Sequence, residues 1–130
     1  MGELNVGDQV PALSVTPDKY LPHRYAGASG DFNPIHIDRE FANQVGLPSN
    51  ILHGLYSMGL VARANAAVAG GDPRALKRLS VQFRGMGMPE QEIVVSGTVK
   101  SVDGDRLVVD TVATQGETAI IKNAEAEIEL

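Results

Sequence analysis

Polar and apolar residues alternate most cleanly at the end of the chain. There Ala124, Ala126, Ile128 and Leu130 fall on one face, and Glu125, Glu127 and Glu129 on the other. That period of two predicts a strand with one side in a core and one in water. Leu79, Val81 and Phe83 alternate in the same way with Ser80, Gln82 and Arg84, and Ile93 to Val102 is rich in β-branched residues; both read as strands. Gly85-Met86-Gly87-Met88-Pro89 must bend or loop between them. Asp103-Gly104 reads as a tight hairpin into a strand from Arg106 to Thr114, and Gln115-Gly116-Glu117 as the turn into the last one.

Upstream the period changes. From near His53 the apolar positions Leu55, Tyr56, Met58, Leu60, Val61, Ala64, Ala67 and Val68 run to a stop at Gly70-Gly71, with Arg63 and Asn65 the main polar interruptions after Ser57. A helix apolar almost all round is one enclosed by a sheet. Before it, Leu4 to Gly7 reads as an entry loop and Gln9 to Thr16 as a first strand, which Pro11 confines to an edge or a strand end. Thr16 and Pro17 suit the cap and first position of a helix that Pro22 shortens or kinks, with a second piece through Tyr25 to Gly27. Asp38 can cap a helix from Arg39 to Val45, ended by Gly46, whose stripe of Phe41, Ala42 and Val45 suits either a lid over an apolar ligand or a plain surface helix. Strand, short helices, one long buried helix and four closely linked strands imply an α+β fold, an antiparallel sheet wrapped around one long central helix.

The length of 130 residues suits one domain over residues 1–130. A net charge of −5 argues against a nucleic-acid footprint spread over the surface, and an anionic substrate would need a local basic patch. The chain has no cysteine, so it can form neither disulfides, a thiolate nucleophile nor a thiolate metal site. No apolar run reaches the length of a membrane span, and the start Met1-Gly2-Glu3 lacks the basic and apolar regions of a signal peptide. The expected setting is cytoplasmic, away from membranes.

The reactive side chains gather in Tyr25 to His36, a stretch that reads as a loop. Asp31 and His36 are five positions apart, about 140° apart on a helix and on opposite faces of a strand, so they converge only if the chain turns between them. Asn33-Pro34 supplies a turn, with Gly27 and Gly30 freeing the approach. A carboxylate and an imidazole facing one another across a gap of one water can move protons at neutral pH. The plain alternative is a carboxylate that caps a turn beside a half-buried histidine. Asn33 is placed to orient the pair, by bonding backbone groups of the loop.

Ser29-Gly30-Asp31-Phe32-Asn33-Pro34-Ile35-His36 resembles, without a gap, the signature of the MaoC-like (R)-specific enoyl-thioester hydratases. The likeness extends to Tyr25-Ala26 and His53-Gly54, and the strand pattern after Gly71 fits that family's hot-dog fold. Within the family the chain is similar to the catalytic B-type subunit of the (3R)-hydroxyacyl-carrier dehydratases of mycolic-acid synthesis. The resemblance implies that Asp31 and His36 hold a water that adds to C3 of a trans-2-enoyl thioester and share the proton delivered to C2. The product would be a (3R)-3-hydroxyacyl thioester, formed without metal or redox cofactor. It also implies an oxyanion donor at the start of the long helix, above all the Gly54 N–H, and a loop oriented by Ser29 and Asn33.

His53 is expected to pack beside the loop without moving protons, and His23 to be solvated. A metal site is not expected, because no pair of these residues shows the ligand spacing of a helix or hairpin. Arg74, Lys77, Arg78 and Arg84 form the one dense basic cluster, either solvated surface or a dock for an anionic acyl carrier, coenzyme A or acyl carrier protein. The fold family implies at least a homodimer, or a heterodimer of two hot-dog chains, with the acyl site near the interface. Two other functions fit the same fold: a non-catalytic acyl-binding partner in a heteromeric dehydratase, and a thioesterase.

Overall fold

Five strands and one long helix form the frame of the chain, and each forms where its side chains have a face to bury. The computed structural model describes residues 3–130; the reading of the Met1-Gly2 start lies outside the described residues. In chain order the elements are β1 (Leu13–Val15), α1 (Leu21–Ser29), α2 (Pro34–Ile37), α3 (Arg39–Gln44), α4 (Gly54–Ala66), β2 (Leu76–Phe83), β3 (Ile93–Asp103), β4 (Arg106–Gln115) and β5 (Thr118–Glu129). The strands make one sheet in the order β1-β3-β4-β5-β2, with every neighbouring pair antiparallel. Among the described residues, no helix is long and apolar enough to cross a membrane.

Strand β5 shows the predicted alternation, with Ala124, Ala126 and Ile128 fully buried. The glutamates between them point outward, where Glu125 meets Lys100 at 3.0 Å and Glu129 meets Arg106 at 2.9 Å. These exposed pairs contribute little stability. Two details differ from the expected pattern. Leu130 lies beyond the sheet and is exposed. Further upstream Ile120 and Ile121 are both buried, because the register with β4 shifts twice: between Ala119 and Ile121, and again between Ile121 and Ala124, where Asn123 takes a left-handed φ of 50°.

Helix α4 lies against β2, β3, β4 and β5, burying Leu60, Val61 and Ala64 in a core with Ile93, Val95, Ala113, Ile120, Ile121 and Ala124. It continues as a 3-10 turn, Ala67–Ala69, and stops at Gly70, whose φ of 71° is left-handed. The enclosure is one-sided: Leu55, Gly59 and Ala67 are open to solvent in the single chain. Asn65 is not a surface interruption. Its Nδ2 donates to the Val61 carbonyl at 2.9 Å and to Thr111 Oγ1 at 3.0 Å, pinning α4 to β4, while its Oδ1 is buried without a partner.

The N-terminal helices are displaced from their expected places. Strand β1 is only three residues long, and Gln9 joins the sheet through an isolated bridge to Thr98. Thr16-Pro17 does not start a helix, because the Pro17 carbonyl is taken by the Glu90 N–H at 2.7 Å. The helix starts at Leu21, and Pro22 falls in its first turn, where a missing N–H costs nothing. It then runs past Gly27 to Ser29 in one piece. Asp38 does cap α3, accepting from the Phe41 N–H at 3.1 Å; of the expected stripe only Ala42 is buried, while Phe41 and Val45 are exposed.

One buried side chain holds the whole segment between β2 and β3. Gln115 donates to the carbonyls of Met88 at 2.7 Å and Gln91 at 3.1 Å and accepts from the Met88 N–H at 2.7 Å. Gln115→Leu should leave three half-buried backbone groups without their partner and cost about 1–3 kcal/mol, read as a lower denaturant midpoint at unchanged slope. A midpoint equal to wild type would show that this clamp is dispensable.

Candidate active site

Helix α1 ends at Ser29 because Gly30 adopts a left-handed φ of 80° and donates to the Ala26 carbonyl at 2.8 Å. Tyr25 to Ser29 is therefore helical, and the loop is confined to residues 30–33. A ladder of short-range bonds fixes those residues. Ser29 Oγ accepts from the Asp31 N–H at 3.1 Å, Asp31 Oδ1 from the Asn33 N–H at 3.2 Å, and Asn33 Oδ1 from the Ile35 N–H at 3.2 Å. Asn33, extended as a residue before proline must be, thus caps α2, with Pro34 in its first turn. Gly27 plays no part in freeing the approach, since it sits inside α1.

This single-turn helix presents His36, which is buried. Its Nδ1 lies 2.8 Å from the Ile51 carbonyl, and its own carbonyl accepts from Asn50 Nδ2 at 2.9 Å. A carbonyl can only accept, so Nδ1 carries the proton and Nε2 a free lone pair. That Nε2 stands 3.7 Å from Asp31 Oδ2. The separation is too long for a direct hydrogen bond and narrower than the expected one-water gap, so a water touching both atoms would have to lie beside the pair and not between them. The imidazole side chain is 11 % exposed and the carboxylate 53 %, so water reaches the pair from the Asp31 side.

Tyr25, Ser29, Asp31, His53, Gly54, Leu55 and Phe83 line an open cleft of about 310 Å³. His53 packs where it was expected, beside the loop: its ring stacks on that of His36 at 3.9 Å, and its Nε2 lies 3.0 Å from the Asp31 carbonyl. Gly54 opens α4, whose N-terminal turn has no side-chain cap, so its N–H is available to an acceptor. The room left by its missing side chain is taken by a neighbour: a Cβ there would lie 3.2 Å from the Phe83 ring. Phe83 and Leu55, 52 % and 63 % exposed, form an apolar lip that the sequence reading had not assigned to the site.

Asp31, His36 and His53 offer ligand atoms within 4.8 Å of one another. Sequence spacing did not reveal this, because the fold and not the local period brings His53 to the loop. The donor set is nevertheless poor for a metal. His53 Nε2 is committed to the Asp31 carbonyl and its Nδ1 is buried, leaving one imidazole nitrogen and one carboxylate. His23 lies apart from the cleft and is not merely solvated: its Nε2–H reaches the Ile37 carbonyl at 3.0 Å and ties α1 to the end of α2.

The basic cluster separates in space. Arg74 is held by Asp72 through two contacts of 3.1 Å. Lys77 and Arg78 lie near the start of β2, whereas Arg84 follows its end, roughly 20 Å from Arg78 along an extended strand, with its guanidinium on Gln82. Ile51 and Asn50, which hold His36, carried no sequence signal, since one acts through its backbone and the other lies in a featureless polar turn.

The profile of the family described as "MaoC like domain" matches residues 6–120. The chain belongs to that family. Among curated relatives, the fatty acid synthase beta subunit aflB of Emericella nidulans is 35% identical over 108 residues, which is 81% of this chain and 5% of that protein. The enoyl-CoA hydratase ChsH3 of Mycobacterium tuberculosis is 33% identical over 111 residues, 85% of this chain and 37% of that one. The chain thus spans only a minor part of these relatives. A solved structure of a MaoC-like dehydratase superposes with a TM-score of 0.92 at 31% identity, covering 98% of this chain and 41% of the other. The sheet wrapped around α4 is the hot-dog fold expected from the sequence.

Behind the cleft, Tyr56 of α4 meets the Tyr25 ring edge-on at 5.9 Å, and burial pushes its hydroxyl above the usual tyrosine value. A pKa raised by folding stabilises below the unfolded value of about 10, and that contribution is lost as pH rises beyond it. Tyr56→Phe should therefore lose less stability than wild type as pH rises above about 10, as measured by denaturant unfolding. Parallel alkaline losses in the two proteins would remove Tyr56 from this account.

Proposed function

We propose that this chain catalyses the reversible hydration of trans-2-enoyl thioesters to (3R)-3-hydroxyacyl thioesters, or the reverse dehydration, in fatty-acid metabolism. The observation that carries the reading is the approach of His36 Nε2 to Asp31 Oδ2, 3.7 Å apart beside the cleft, with the His36 tautomer set by Ile51. A water held by the carboxylate and the imidazole lone pair is poised to add its oxygen to C3 while one proton passes through the pair to C2. The Gly54 N–H receives the thioester oxygen as enolate charge develops. Atoms balance with water alone, so the step calls for no oxidant or reductant. The enoyl-CoA hydratase and fatty acid synthase relatives support this choice over a thioesterase or a passive acyl-binding partner. The carrier is coenzyme A or acyl carrier protein, and the cysteine-free composition suits work in the cytoplasm.

Mixing the protein with a short trans-2-enoyl-CoA should abolish the ultraviolet absorbance of the conjugated thioester without releasing thiol. Asp31→Asn and His36→Ala should each lower kcat on the order of 10²–10⁴-fold while the unfolding transition stays near wild type. Thiol release, or full turnover in either variant, would overturn the assignment.

The same reading includes assembly. Edge strand β2 has no fully buried residue, and Leu55 and Phe83 lie bare at the mouth of the cleft. An unprotected edge and an apolar lip are both relieved by a second hot-dog chain, the same or different. Light scattering at micromolar concentration should give at least twice the mass of the chain. A stable, fully active monomer would refute a site bounded by two chains.

A further inference from the structure

His53 has surroundings unlike those of a residue that only fills space. It precedes the first residue of α4 and is 3 % exposed. Because the Asp31 carbonyl can only accept, His53 Nε2 carries the proton and Nδ1 is left as a bare lone pair. That Nδ1 is buried without a partner. A phenyl or isobutyl group would fill the same space without orphaning a polar atom, so the imidazole has a cost that packing alone does not explain. The polar atom that does have a partner is the one on Asp31. The ring face lies on His36 with 3.9 Å between centroids and 21° between planes, and Tyr25 packs against it at 4.6 Å.

Resting on the hydration reading above, we propose that His53 is a positioning residue whose single ring holds both members of the catalytic pair. Asp31 lies in the loop after α1 and His36 on α2, and each is braced locally, Asp31 by Ser29 and Asn33 and His36 by Ile51. The ladder through Asn33, whose carbonyl also accepts from the His36 N–H at 3.0 Å, joins the two segments through the backbone, but none of these bonds reaches from the Asp31 loop to the imidazole ring. His53 touches both, through a donor to the Asp31 main chain and a stacked face on His36, and it is itself fixed to the start of the helix buried against the sheet. It therefore sets the distance between Asp31 Oδ2 and His36 Nε2. Its proton lies on Nε2 and that of His36 on Nδ1, so the two stacked rings hold opposite tautomers, each set by a backbone carbonyl.

Three variants separate the contacts. His53→Gln can keep an N–H near the Asp31 carbonyl without the stacked ring, His53→Phe keeps a flat ring without the donor, and His53→Ala keeps neither. With a short trans-2-enoyl-CoA, His53→Ala should lose kcat by about ten- to a hundredfold, the scale of a small misplacement of reacting groups, with KM little changed. Each of the other two should recover part of that loss. Wild-type kcat in His53→Ala, or losses in all three that merely follow the fraction of folded protein, would overturn the proposal. Amide hydrogen exchange provides a readout independent of turnover: Asp31 and Asn33 should exchange faster in His53→Phe than in wild type. Unchanged exchange would overturn the positioning role even in an inactive protein. Faster exchange in a protein whose wild type never hydrates an enoyl thioester would overturn only the hydration reading.

Discussion

The hydrogen bond from His36 Nδ1 to the Ile51 carbonyl is the constraint on which the site depends. It decides which nitrogen is free, and hence which side of the ring can exchange a proton. It also ties two stretches of chain with little regular structure of their own. The Ile51 N–H returns a bond to the Ile35 carbonyl at 3.0 Å, and the next residue, Leu52, donates to Gly87 at 2.8 Å. Gly87 belongs to the segment that Gln115 clamps onto β4. A path of backbone bonds thus runs from the sheet to the imidazole, and the short helix α2 does not have to hold His36 by its own marginal stability.

The sheet and α4 supply rigidity but not chemistry, and among the described residues two buried side-chain atoms lack partners, one on α4 and one on the residue just before it. Asn65 Oδ1 is orphaned while its amide bridges α4 to β4, and His53 Nδ1 is orphaned while its other nitrogen reaches the loop. In each case a side chain with two polar ends uses one to connect elements and leaves the other dry. Such an arrangement persists only where the connection outweighs the desolvated atom.

Much of this was legible in the sequence, for a physical reason. β3, β4 and β5 bury alternate residues and α4 buries a helical stripe, so their period is written in residue type. The Asp31–His36 pairing was legible because Asn33 and Pro34 act locally: a cap and a fixed φ need no distant partner. What escaped was set by tertiary contacts. Thr16-Pro17 has the chemistry of a helix start, yet a carbonyl taken by Glu90 moved that start to Leu21. The slip at Asn123 and the backbone acceptor at Ile51 have no period and no characteristic side-chain type. The basic cluster failed in the opposite sense, since residues close in sequence were drawn apart by the length of an extended strand.

The lip formed by Leu55 and Phe83 links the chemistry to assembly. As the cleft stands, the Asp31 carboxylate faces bulk water, where a single backbone donor such as the Gly54 N–H would do little for the enolate of the proposed hydration, because water competes for it. Covering the lip with apolar surface would remove that water and strengthen the hydrogen bonds made by the donor and by the Asp31 carboxylate together. The same covering would bury the otherwise exposed Leu55 and Phe83, whose ring already fills the space over Gly54. Glycine at position 54 then serves two demands: it lets Phe83 close over the start of α4, and it leaves the backbone donor accessible from the cleft. A side chain there would press on Phe83 first, so the apolar wall and the donor depend on the same missing Cβ.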